Sequence, residues 1–166
     1  MANLLYEQIK LSPLIVEERI STIFLDGKPV DDITSVVVEH GSTLALSGAM
    51  PGLVGATLRR KSPLASFRQS ISARKASEEL KEARGSVNIK LFNILLDELG
   101  LVFLERGVFL RADILMSFFE KQSWEFWRRC KQIMVNGSFV RPQKQTEWCQ
   151  QTANSDLVNF KVIRES

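Results

Sequence analysis

The sequence predicts an α+β protein, β-rich before residue 60 and mixed afterwards. Two contrasts and a boundary carry that expectation. Before residue 60, short apolar runs with β-branched residues are punctuated by turn formers. Beyond residue 76 the apolar residues recur at helical spacing. Between them lies KSPLASFRQSISARK, polar, serine-rich and basic. The expected organisation is a β-rich lobe over 1–60 (hairpins or a meander), a basic linker over 61–75, and a mixed helix–hairpin–helix lobe over 76–166 packed on the first. A single domain is the alternative arrangement.

Each element has a local reason. Residues 4–11 are mixed and end at Ser12-Pro13. In ERISTIFL, Ile20, Thr22 and Phe24 alternate, so a strand is expected over 18–25, closed by the turn Asp26-Gly27-Lys28-Pro29. Val36-Val37-Val38 is β-branched throughout and reads as a second strand. Glu39-His40-Gly41-Ser42 supplies the next turn, and Thr43 to Leu46 the next strand. Beyond the linker, Ser77 caps a short polar helix that Gly85 stops. Ser86 then caps a helix with Val87, Leu91, Ile94, Leu95 and Leu99 on one face and Gly100 past its end. Leu101–Leu104 and Val108–Leu110 read as a hairpin turning at Gly107. Asp113 caps a long third helix reaching Met134, with Leu115, Phe118, Phe119, Phe126, Cys130 and Ile133 as its stripe. Asn136-Gly137 ends that helix, and strands follow over 138–141 and 158–163.

Composition narrows the class. A chain of 166 residues can bury one good-sized core or two small lobes sharing one. Apolar residues at 45% and a mean hydropathy of −0.03 describe a folded globular chain rather than a disordered one. The net charge is only +3, but it is unevenly distributed. Residues 1–47 hold three basic and seven acidic side chains, whereas residues 56–90 hold nine and three. A basic stretch attracts phosphate or an acidic partner, although solvation of a surface explains it more simply. The opening MANLLYEQIK has no basic region followed by an apolar one, and no stretch has the apolar density of a spanning helix. A cytoplasmic location with no membrane span is therefore expected.

The most informative segment runs from His40 to Leu58, nineteen residues without a charge in a chain where 25% are charged. Arg59-Arg60-Lys61 follows at once. Gly48, Gly52 and Gly55 keep its backbone open to close approach, and Pro51 limits its regularity. A strand running into such a loop, with cations behind it, can cradle an anion through backbone N–H groups and guanidinium forks. The spacing G-x-x-x-G-x-x-G matches neither nucleotide fingerprint. Alternatively Met50, Leu53 and Val54 make apolar contact with a partner, either another protein or a second copy of the chain. The expected ligand-binding set is Gly48, Met50, Gly52, Leu53, Val54, Gly55, Arg59, Arg60 and Lys61. A second expected contact is Trp124, Trp127 and Arg128, where aromatic and basic residues adjoin.

Catalytic and metal chemistry has little to stand on. One histidine and two cysteines nineteen residues apart, without CxxC or HxxxH spacing, offer no metal site, and no cofactor is expected. Ser72-Ala73-Arg74-Lys75 has the S-x-x-K spacing without its companion motifs. Cys130 falls on the apolar stripe, where a reduced, buried thiol is expected, and His40 sits in a turn with nothing in sequence to orient it for proton transfer. No catalytic residue is assigned. Helix, turn at Arg84-Gly85-Ser86, helix and hairpin follow the order of a winged helix-turn-helix. Yet Lys90 is the only cation between Asn88 and Leu99, which argues against DNA. The resulting expectation is a binding or assembly module contacting a phosphate-bearing ligand or a protein. The alternatives are a winged-helix-like nucleic-acid-binding protein and an enzyme without recognisable motifs.

Overall fold

Strand and helix are both well represented, so the chain is α+β. The computed structural model describes residues 1–48, 50, 52–63, 84–140 and 156–164. It divides into two compact units, Met1–Gly100 and Leu101–Ser166. The expected linker is described only over 61–63, and the short helix expected from Ser77 lies outside the described residues.

The first unit opens on two single helical turns, Leu4–Gln8 and Ile15–Arg19, each closed by a wide i→i+5 bond: Ile9 N to Leu4 O, and Ile20 N to Ile15 O. A four-stranded sheet follows, in the order β2-β1-β3-β4, from β1 (Thr22–Leu25), β2 (Lys28–Pro29), β3 (Thr43–Ser47) and β4 (Asn88–Phe92). The β1–β2 turn is Asp26-Gly27, with φ of 50° and 78°, the left-handed pair that a two-residue hairpin needs. Asp26 also serves β3. Its carboxylate accepts from Thr43 N at 2.7 Å and from Ser42 Oγ at 3.0 Å, which fixes where β3 begins. Ile23, Leu25, Leu44 and Leu46 share one face of the sheet and are buried with Leu5, Val16, Ile20, Leu95 and Leu99. Each such side chain contributes roughly 2 kcal/mol.

Several expected elements take other forms, for identifiable reasons. Val36-Val37-Val38 forms no strand, because Val36 is buried and its carbonyl accepts from the Met1 nitrogen while Ala2 N bonds Ile33 O. The sheet is therefore not a meander. Its fourth strand comes from residues expected to be helical. NIKLF alternates, with Asn88, Lys90 and Phe92 exposed and Ile89 and Leu91 half-buried, and it pairs parallel to β3. Asn93 turns the chain at φ 56°, and helix α2, Ile94–Arg106, follows α1 (Gly52–Leu58) in chain order. Of the hairpin expected over 101–110, the strand at 108–110 forms, but residues 101–106 are the last turns of α2, ended by Gly107 at φ 95°, whose N–H bonds Phe103 O and Leu104 O.

In the second unit, β5 (Val108–Arg111) pairs antiparallel with β8 (Leu157–Phe160). The long third helix is broken into α3 (Ala112–Glu120) and α4 (Trp124–Arg129), then strand β6 (Ile133–Val135). The break falls at Lys121-Gln122-Ser123, where Ser123 O receives the N–H groups of Phe126 and Trp127 and starts the new helix. Asn136-Gly137 does not end a helix. At φ of 50° and 82° it turns β6 into β7 (Ser138–Val140). Leu115, Phe119, Trp127 and Val135 form the unit's core. With residues 88–92 extended and 101–106 helical, the helix–hairpin order of a winged helix is not formed.

Candidate functional site

The uncharged segment is built outward from β3. Gly48 is buried, and a Cβ there would sit 2.8 Å from Ile94 Cγ2, so the chain leaves the sheet close against the start of α2. Met50 is half-buried. Gly52 opens α1 at φ 79°, a conformation that L residues adopt rarely. Gly55 turns inward, where a Cβ would overlap the Met50 carbonyl. With Gly55 inside, the neighbouring positions face out: Leu53 is 76% exposed and Val54 67%. Ala49 and Pro51 lie outside the described residues.

The three cations behind α1 are not equivalent. Arg60, expected as an anion ligand, is instead buried at 8% exposure. Its Nη1 donates to Val16 O at 2.8 Å and to Ile20 O at 3.5 Å, and Nη2 faces Glu17 Oε1 at 3.4 Å. The guanidinium closes the end of the turn Ile15–Arg19 by donating to the buried carbonyls of Val16 and Ile20. Lys61 Nζ donates to the other Glu17 oxygen at 2.5 Å. That bond, with Tyr6 Oη donating at 3.1 Å and the Arg60 charge, holds the Glu17 carboxyl below its ordinary range. Arg59 is exposed. Two of the three cations are therefore committed to Glu17 within the fold.

The second expected contact separates into unlike parts. Trp124 is 65% exposed and Arg128 is exposed, but Trp127 is a core residue at 6%. Its ring lies 5.4 Å from Phe119 and 5.1 Å from Phe126, so it anchors α4 to α3 instead of meeting a partner. Sequence reasoning placed Phe118 and Phe126 on a buried stripe. Both reach the surface, in edge contact at 6.1 Å. The helix break at 121–123 re-aims that stripe, and nothing short of the break itself signals it.

His40 Nδ1 accepts a hydrogen bond from Ser86 N at 3.1 Å, which makes it a structural, backbone-bonded histidine of the first unit. Cys130, in the second unit, is half-buried rather than buried, with Sγ 3.6 Å from Gln132 O. Ser72, Lys75 and Cys149 lie outside the described residues. Among the described residues no group of three or more His, Cys, Asp and Glu side chains could hold a metal ion. No helix among them is long and apolar enough to cross a membrane. No family model matches the chain, and neither a curated protein nor a solved structure matches it.

Proposed function

We propose that the chain is a binding or assembly module that holds a protein partner through the outer face of α1. The observation that carries this reading is the exposure of Leu53 and Val54 side by side, in a segment free of charge, while Gly55 fixes the opposite side of the helix inward. Two large aliphatic side chains in water forgo roughly 3 kcal/mol of burial that a covering partner would supply. The phosphate alternative has less support, since Arg60 and Lys61 already serve Glu17.

The test uses a photo-crosslinking amino acid at position 53 and, as a control, at exposed Lys28. Irradiation of intact cells should give a discrete adduct from position 53 alone, lost when Val54→Asp is added. Adducts no different from those at position 28 would remove the partner reading. Folding should be indifferent to these changes. The Leu53→Asp, Val54→Asp double variant is expected to unfold in urea within about 0.5 kcal/mol of the parent, as surface substitutions do.

A further inference from the structure

We propose that the outer edge of β4 docks an extended segment of a partner protein, one that places an acidic residue beside Lys90 and apolar residues on either side of it. Strand β4 ends the sheet order β2-β1-β3-β4. Its register on β3 fixes which of its main-chain groups are used. Asn88 N donates to Ser42 O at 2.8 Å. In a parallel ladder alternate residues direct both main-chain groups to the same neighbour. Asn88, Lys90 and Phe92 therefore bond to β3, while the N–H and C=O groups of Ile89 and Leu91 point away from it. Among the described residues nothing pairs with those four groups. A row of donors and acceptors at this spacing is matched by another extended chain, which sets the conformation of the occupant.

The side chains set its chemistry. Ile89 and Leu91 share the sheet face of Leu44 and Leu46 but are only half-buried, so apolar residues beside them would complete that face. Lys90 lies on the opposite face, exposed, and makes no ion pair among the described residues. Between residues 84 and 96 the only charges are Arg84 and Lys90, so this edge attracts an acid and repels a base. The same charge disfavours a second copy of the chain. Two β4 strands in full antiparallel overlap would match Ile89 with Leu91 and set Lys90 directly opposite its own copy, where like charges destabilise the pair. Sliding that pair by two residues either way leaves Ile89 or Leu91 opposite a residue outside β4.

A displayed library of random linear peptides, selected against the full chain, tests this. Binders should share an acidic residue flanked by apolar ones, and a synthetic peptide of that sequence should slow hydrogen exchange at the Ile89 and Leu91 amides. Lys90→Glu, a change at an exposed position, should weaken that peptide about threefold to tenfold, and selection against the variant should return a basic residue at the same place. The Leu53→Asp, Val54→Asp variant should bind the peptide as the parent does, so this site and the α1 face stand or fall separately. Peptides that leave the Ile89 and Leu91 amides exchanging as before, or that bind Lys90→Glu as tightly, would overturn the proposal. So would a selection that returns no shared sequence. Protection of the same two amides that rises with the concentration of the chain alone would overturn it too, by making the occupant a second copy.

Discussion

Replacing Trp127 by alanine is expected to destabilise the second unit by about 4 kcal/mol, the cost of removing a large buried aromatic side chain. The indole packs tilted against Phe119 and edge-on to Phe126, and with Leu115, Phe119 and Val135 it makes up a small buried cluster among the described residues of 101–166. A core this small has no reserve with which to close the cavity. Trp124→Ala, three positions earlier and exposed, should cost no more than about 0.5 kcal/mol. Denaturation in urea followed by circular dichroism separates the two. Equal, mild effects would mean that Trp127 is a surface residue after all.

Arg60→Ala should cost the first unit about 2–3 kcal/mol, because it strips the donors from two buried carbonyls and removes the inner cation beside Glu17. Arg60→Lys should recover little, since an ammonium cannot fork to Val16 O and Glu17 together. Lys61→Ala, by contrast, removes a side chain that is 72% exposed, and its loss should stay within about 0.5 kcal/mol. The same cluster sets a pH dependence. The Glu17 carboxyl is held low in the fold, by the Lys61 bond first and then by Tyr6 and Arg60. Its contribution is therefore complete above the ordinary carboxylate range and is lost as the pH falls through its depressed value. Glu17→Gln should flatten that acid limb of the stability curve. A limb as steep as the parent's would place the effect on other carboxylates.

What could be read from sequence was whatever is decided locally. Asp26-Gly27 announces a tight turn through its own backbone preferences, and Thr43–Leu46 reads as a strand after the turn at residues 39–42, whereas Asn136-Gly137 reads as a helix end and is a hairpin turn. NIKLF was not legible, because Leu91 continues into Ile94, Leu95 and Leu99 at helical spacing as readily as it alternates with Asn88 and Lys90. Its partner, β3, lies far back along the chain, and that pairing decides the matter. The candidate site divides the same way. The exposed apolar pair on α1 follows from an uncharged segment rich in glycine. Arg59, Arg60 and Lys61 look alike in sequence, and only the carbonyls of Val16 and Ile20, far back along the chain, select Arg60 for burial. Trp127 is distinguished from Trp124 by Phe119 and Val135, neither of which is its neighbour in sequence.

The parallel join between β3 and β4 has a consequence for the order in which the first unit assembles. Leu25 meets Lys28 across a two-residue turn, whereas Thr43 must find Asn88. A hairpin of the first kind closes in about 1–10 μs, while the second contact must wait for a long loop to close against its entropy. Strand β4 therefore docks last, and until it does β3 presents an unpaired edge bearing Leu44 and Leu46. An open edge of that kind accepts another chain's strand as readily as its own. Refolding yield is accordingly expected to fall with rising protein concentration, through association of half-built sheets. Substitutions in β4 should speed unfolding while leaving the folding rate nearly unchanged.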